Sequence, residues 1–214
     1  MTPAQALLLD LDGCVLDSLP AIARCWAETL AEFGFEAPRP EQIRPYVGPP
    51  VDDAARALVP GADEPTIEAM VADYRRRSAQ ATDVLPFPGV VELLSELSDR
   101  GVRLGVATSK SIEVAEPQLD HLGLRSWFEF LEGTRIDELG TDKATIVARA
   151  LGRLAPTRPA ALVGDREQDV RGAHANAIPA IGALWGYGSR EELVAAGADE
   201  LARTPPDVAL LIAR

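Results

Sequence analysis

The chain has 214 residues, with 21 Lys and Arg against 33 Asp and Glu, for a formal net charge of −12. Neutralising many phosphates needs a basic face, so this balance excludes a general nucleic-acid binder; a small anionic ligand at a local positive spot stays allowed. At 47% hydrophobic and 25% charged residues, the composition is that of an ordinary globular protein of one large or two unequal domains.

At the N-terminus, Met1 to Asp12 carries no basic segment, and the apolar run Ala6 to Leu9 stops at Asp10. That run is too short for a signal peptide or a membrane span, so a soluble, unprocessed protein without membrane contact is expected. Cys14 and Cys25 form no C-x-x-C and have no histidine at metal-ligand spacing. Neither a disulfide framework nor a zinc site fits them, and a reducing cytoplasm does.

Short apolar runs alternate with helical patterns, the signature of strand-helix units around a parallel sheet. Strands are expected at Ala6 to Leu9, Val102 to Ala107, Trp127 to Leu131, Ala160 to Val163 and Ile178 to Leu184. Helices are expected at Val90 to Arg100, Ser111 to Leu122, Lys143 to Leu151 and Glu167 to Ala177, with Gly123 and Gly152 closing the second and third. From Leu19 to Asp83 no strand is legible. Helical patterns instead span Ala21 to Phe33, Asp52 to Leu58 and Pro65 to Gln80, separated by breakers such as Pro38, Pro45, Gly48 and Pro60. The fold class is therefore α/β, a Rossmann-like parallel sheet core over residues 1–17 and 84–214, with an inserted helical cap over 18–83. Trp26, Phe33 and Phe35 read as the cap's core.

The apolar runs end in polar residues: Asp10 and Asp12 after the first, Thr108, Ser109 and Lys110 after the second, Asp165 after the fourth. In an open parallel sheet the ligand crevice lies beyond the carboxyl ends of the strands, so these positions converge. Their carboxylates make an oxygen-rich site of the kind that suits Mg²⁺. A calcium loop fails here, because its glycine position holds Val15 and its final glutamate position holds Ala21. Lys143 opens a helix, where a cation opposes the macrodipole by about 0.3–1 kcal/mol. Such a violation makes sense if the lysine neutralises a phosphoryl group.

The strings Asp10-Leu11-Asp12-Gly13-Cys14-Val15, Ala107-Thr108-Ser109-Lys110, Thr141-Asp142-Lys143 and Gly164-Asp165-Arg166-Glu167-Gln168-Asp169 resemble, in order, the four motifs of the haloacid dehalogenase superfamily. The resemblance covers nearly the whole chain. Its phosphoglycolate phosphatase-like branch is the most similar, and Val47-Gly48-Pro49-Pro50 and Leu184-Trp185-Gly186-Tyr187-Gly188 look most like 5′-nucleotidase or protein-tyrosine phosphatase members. The resemblance implies Asp10 as nucleophile and Asp12 as general acid and base. It also implies Mg²⁺ held by the Asp10 carboxylate, the Asp12 backbone carbonyl and the Asp165 carboxylate, with Asp169 supporting the metal's water shell. Thr108 and Lys143 would bind and neutralise the phosphoryl group, with Ser109 and Lys110 as further contacts. Cys14 stands where the family usually carries Thr, and a thiol beside the nucleophile raises the question of oxidation.

Other residues have structural readings. Asp17 and Ser18 are expected to cap the helix near Pro20, and Asp142 the helix that Lys143 begins. His121 and His174 read as helix residues, Arg75 to Arg77 as a solvated helix face, and Trp185 and Tyr187 as packing or site wall. Arg44, in the loop before Val47, is a candidate substrate contact on a closing cap. The leading expectation is a phosphatase for a small phosphorylated metabolite, phosphoglycolate or a nucleoside 5′-monophosphate, in a monomer or homodimer. A phosphomutase of the β-phosphoglucomutase kind and a non-catalytic phosphate-binding module stand as alternatives; a dehalogenase ranks lower, because the resemblance gives Asp12 the phosphoryl-transfer acid and base role that dehalogenases of this superfamily lack.

Overall fold

The structure, a computed structural model, describes residues 6–135, 138, 141–154 and 160–213. The first five residues, part of the N-terminal stretch where a targeting segment would lie, are outside them. Strand β1 (Ala6–Leu9) is apolar at every position and fully buried, as a central parallel strand covered on both faces must be. Its side chains alternate between two layers. Leu7 and Leu9 pack with Leu93, Leu94 and Leu97 of α5 (Val90–Asp99) and with Val208 of α10 (Pro205–Leu211). Ala6 and Leu8 face Ile146 and Val147 of α7 (Lys143–Arg153) and Val170 and Ala173 of α8 (Glu167–Ala175).

The other strands are β4 (Arg103–Ser111), β5 (Phe130–Thr134), β6 (Ala160–Gly164), β7 (Ala180–Ala183) and β8 (Glu200–Ala202), and the sheet order is β5-β4-β1-β6-β7-β8, every pair parallel. The fold class is thus the α/β parallel sheet that the sequence leads one to expect. The chain builds outward from β1 through β4 to β5, then returns to β1's other side for β6. That reversal opens a crevice beyond the carboxyl end of β1, between β4 and β6.

Between β2 (Leu16–Asp17) and β3 (Leu85–Pro86), which pair antiparallel, run α1 (Leu19–Glu32), α2 (Pro40–Ile43), a 3₁₀ turn at Arg44–Tyr46, α3 (Val51–Leu58) and α4 (Glu64–Ala79). Their apolar faces form a cluster of their own, with Ile22, Trp26 and Leu30 from α1, Ala54 and Ala55 from α3, and Ile67 and Met70 from α4. Trp26 stacks on Tyr74 with ring centroids 4.3 Å apart.

Several elements differ from expectation for identifiable reasons. Phe35 is not in this core but 40% exposed, because the chain leaves α1 through Gly34 at φ 79° and carries it outward. The third strand begins at Phe130 rather than Trp127, since Arg125–Trp127 closes a 3₁₀ turn. Gly152 lies inside α7, which runs on to Arg153. Strand β4 continues past Ala107 to Ser111, carrying Thr108 to Lys110 out at the carboxyl end of the sheet. Ser18 occupies the N-cap of α1, but its side chain makes no capping bond.

Tyr187 does that work instead. Its hydroxyl accepts the backbone N–H groups of Ser18 (2.7 Å) and Leu19 (2.8 Å) and donates to Asp17 Oδ1 (3.0 Å). One side chain from the loop after β7 therefore closes the N-terminus of α1. Replacing Tyr187 with Phe strands two largely buried amide donors, at about 1–3 kcal/mol for the buried polar groups left unpaired. The expected result is a lower urea midpoint with an unchanged slope; a midpoint equal to wild type would show that the hydroxyl does not hold this junction.

Candidate active site

Asp10 is the first residue beyond β1, tied by its N–H to the Val163 carbonyl at 2.9 Å. The chain then turns tightly: the N–H groups of Cys14, Val15 and Leu16 all donate to the Leu11 carbonyl. Gly13 makes this turn at φ 89°, and a Cβ there would collide with the Asp165 carboxylate. Glycine is required on both counts. Gly188 is equally constrained, because a Cβ there would meet the Asp165 carbonyl oxygen.

Lys143 starts α7 behind the N-cap Asp142, whose carboxylate accepts the Thr145 N–H at 2.7 Å, as expected of that residue. The lysine is buried, and its Nζ lies 2.7 Å from Asp10 Oδ1 and 2.7 Å from Asp169 Oδ1. Asp169 Oδ2 in turn accepts the Arg166 N–H at 3.0 Å. Asp165 Oδ2 accepts the N–H groups of Tyr187 (2.7 Å) and Gly188 (3.4 Å), while its Oδ1 is buried with no hydrogen-bond partner. Asp10, Asp165 and Asp169 bring carboxylate oxygens within 4.8 Å of one another, an arrangement that could hold a metal ion.

The electrostatics follow from burying three carboxylates beside one cation. Burial first, with Asp169 and Asp12 adding to it against the pull of Lys143, pushes the Asp10 carboxyl up to about 6. Burial, then the charges of Asp169 and Asp10, pushes Asp165 well above the usual carboxylate range. Burial opposes the charge on Lys143, yet Asp10 and Asp169 hold it above the ordinary lysine value. The unpartnered Asp165 oxygen and the excess of negative charge fit an oxygen-seeking cation.

Asp10 and Asp12 share a cavity with Thr108, Ser109 and Lys110. Lys110 Nζ is 2.8 Å from Asp12 Oδ1, and Thr108 Oγ1 accepts the Lys110 N–H at 3.2 Å. The opposite wall comes from the helical segment, with Tyr46, Pro49, Pro50 and Tyr74 among its residues. Of the expected site residues, the structure gathers Asp10, Asp12, Thr108, Ser109, Lys110, Lys143, Asp165 and Asp169 at the carboxyl ends of β1, β4 and β6.

Arg44 is placed elsewhere. Its guanidinium donates to the carbonyls of Tyr187 (3.0 Å) and Gly186 (3.3 Å), so it straps the helical segment to the loop that holds Asp165 and does not line the cavity. Arg166 makes the reverse strap, donating to the Val47 carbonyl at 2.5 Å and to Glu192 at 2.8 Å. Arg75, expected on a solvated face, lines the cavity and donates to the Glu138 carbonyl at 3.4 Å. Arg76, its side chain 57% exposed, fits the solvated reading, while the part-buried Arg77 pairs with Asp73 at 2.6 Å and Glu28 at 3.1 Å. Arg75 differs from Arg76 and Arg77 in helical face, which it shares with the cavity-lining Tyr74 and Ser78. His174 pairs with Asp199 at 2.9 Å, away from this site. The Cys14 thiol is buried against the Val163 carbonyl and burial pushes it up, which disfavours the reactive thiolate.

A parallel sheet with an acid-lined crevice at its reversal point, covered by helices inserted after the first strand, defines an α/β protein whose buried carboxylates could hold a metal ion. Residues 7–183 match the haloacid dehalogenase-like hydrolase family, and the chain belongs to that family. It is 36% identical over 188 residues to the tyrosine-protein kinase PtkA of Mycobacterium tuberculosis, covering 86% of this chain and 63% of that protein. This chain thus spans less than two thirds of the mycobacterial relative's length. It is 33% identical over 216 residues to a phosphoglycolate phosphatase from Synechococcus elongatus, with 95% of each covered. A predicted phosphatase from Clostridium acetobutylicum superposes with a TM-score of 0.89 at 30% identity, covering 98% of each chain. Among the described residues no helix is long and apolar enough to cross a membrane.

Removing the Asp165 charge tests the electrostatic reading. Asp165→Asn keeps an oxygen for the Tyr187 and Gly188 amides and relieves the excess negative charge. In the presence of chelator the variant should be more stable than wild type by about 0.5–2 kcal/mol, the usual gain from a single stabilising substitution. Unchanged or lower stability in urea denaturation would show that the cluster is not electrostatically strained.

Proposed function

We propose that the chain is a Mg²⁺-dependent phosphatase that hydrolyses small phosphomonoesters through an aspartyl-phosphate. The observation that carries this is the contact of Lys143 with both Asp10 and Asp169 at 2.7 Å, beside the unpartnered Asp165 oxygen. Family membership and the phosphatase names among its relatives support it. On this reading residues 18–83 are a cap domain over a core of 1–17 and 84–214.

The carboxylates of Asp10 and Asp165 and the Asp12 backbone carbonyl would hold the metal, with Asp169 supporting its waters. A bound divalent cation supplies charge neutralisation to the phosphoryl oxygens. Lys143 holds Oδ1 of Asp10 and so fixes the carboxylate's orientation. A carboxylate oxygen of Asp10 attacks phosphorus, the ester P–O bond breaks, and the Asp12 carboxyl gives its proton to the leaving alcohol. Asp12, now a carboxylate beside Lys110, takes a proton from water as that water attacks phosphorus. The bond to Asp10 then breaks, which frees inorganic phosphate and restores both carboxyl groups. Thr108 and Ser109, on the extension of β4, would donate to the phosphoryl oxygens. The covering helices exclude bulk water, which strengthens each of these contacts.

The test is phosphate release from a panel of phosphate esters, with Mg²⁺ and with chelator. Release should require the metal, vanish in Asp10→Asn and fall about 10²–10⁴-fold in Asp12→Asn, the usual scale of general acid-base assistance. Release that persists in Asp10→Asn would remove Asp10 from the nucleophile's role, and silence from every ester would sink the phosphatase reading.

A further inference from the structure

The two halves of the cavity differ in chemistry. The core contributes the carboxylates, hydroxyls and lysine described above. The facing wall is apolar and ring-bearing, with Ile22, Tyr46, Pro49, Pro50 and Tyr74 from the helical segment and Val114 from α6 (Ile112–His121). Tyr74 is held by its stack on Trp26, so this wall presents a fixed surface rather than a mobile side chain. Flat aromatic and proline faces of this kind favour a planar apolar partner.

Among the described residues, the charged groups around that wall are already engaged. Lys110 pairs with Asp12 at 2.8 Å, and the Arg75 guanidinium donates to the Glu138 carbonyl at 3.4 Å. Asp52, which also lines the cavity, pairs with Arg56 at 2.7 Å, and Glu138 pairs with Arg149 at 3.1 Å. A second carboxylate on the substrate would have to displace one of these pairings or stay unpaired in a covered site, which is costly.

We infer that the site selects phosphomonoesters whose leaving group carries a flat apolar ring, and disfavours short doubly anionic esters such as phosphoglycolate. This rests on the phosphatase reading and narrows it. The ring can come from an arylalkyl alcohol or from a nucleoside; the shared chemistry is the planar face that meets Tyr46, the prolines and Tyr74.

The experiment compares kcat/KM for benzyl phosphate, adenosine 5′-monophosphate, ethyl phosphate and phosphoglycolate with the Mg²⁺-loaded protein. Benzyl and ethyl phosphate both release an ordinary alcohol, so a difference between them reports recognition rather than leaving-group acidity. A ring ester should exceed both ethyl phosphate and phosphoglycolate by about tenfold or more, the scale of apolar pocket discrimination. Benzyl phosphate above the nucleotide assigns a ring next to the ester, and the reverse assigns a nucleoside. Tyr46→Ala should narrow the ratio of benzyl to ethyl phosphate, mainly through KM. Phosphoglycolate equal to or above the ring esters would overturn the inference. Calorimetric binding of benzylphosphonate against phosphonoacetate measures the same preference without turnover. If no ester is hydrolysed, tighter benzylphosphonate binding keeps the selectivity while the phosphatase reading falls, and tighter phosphonoacetate binding removes the selectivity.

Discussion

Three carboxylates buried around one lysine set the terms for the rest of this structure. Taking each charge out of water costs several kcal/mol, and mutual attraction repays this only where geometry and extra hydrogen bonds are favourable. The fold supplies part of that return. Lys143 Nζ reaches two of the carboxylates at 2.7 Å, and backbone amides of Arg166, Tyr187 and Gly188 reach Asp169 and Asp165. The remainder is uncompensated, visible in the unpartnered Asp165 oxygen and in the upward shift of Asp10 and Asp165. The glycines around Asp165 belong to the same constraint. Gly13 and Gly186 lie so close to the Asp165 side chain that a Cβ at either would collide with it, so the chain must approach with bare backbone.

The strand order is what assembles that cluster. Its members come from positions 10, 143, 165 and 169 and meet only because β1 is flanked by β4 and β6. The helical segment is held to the same place. Arg44 donates to the carbonyls of residues 186 and 187, while the amides of residues 187 and 188 donate to Asp165. The Tyr187 hydroxyl closes the N-terminus of α1. One short loop thus carries the attachments of both the acidic cluster and the helices above it. A displacement of those helices acts on the loop that sets Asp165.

Much of this is legible in the sequence, and the division between what is and is not is physical. β1 is readable to the residue because a strand covered on both faces is a continuous apolar run ended by a charge. The polar residues at the strand ends, and Lys143 against the helix dipole, announce themselves by breaking local rules. The elements after residue 188 leave no such signal. α9 (Arg190–Ala196), β8 and α10 have three to seven residues each, too short for a period to show. Phe35 and Trp127 depart from their expected places because apolar character says nothing about where a chain turns away from its helix. Arg44 and Arg75 exchange roles for a related reason: which of two cationic side chains faces a cavity depends on how helices dock. Asp17 and Ser18 carry the residue types of a cap, yet the oxygen that closes α1 comes from Tyr187, nearly 170 residues away in the chain.

The same division bears on how specificity is built. Every member of the buried charge cluster stands on, or directly after, the sheet's own strands and helices, whose positions are fixed by the two apolar layers. The wall that faces it stands largely on α1, α3, α4 and the loop at 44–50, whose apolar residues pack in a separate cluster. Residues distant from one another and without shared partners act nearly independently. A substitution at Ile22 or Tyr46 therefore alters the wall while leaving the Lys143 contacts untouched. The proposed reaction groups and the proposed selecting surface stand on different parts of this fold, joined by the loop of residues 186–188, the straps of Arg44 and Arg166, and the bonds of Arg75 to Glu138 and of Gln118 to Ser78. A change of ligand needs no change in the buried carboxylates, provided those straps continue to seat the helices over the crevice.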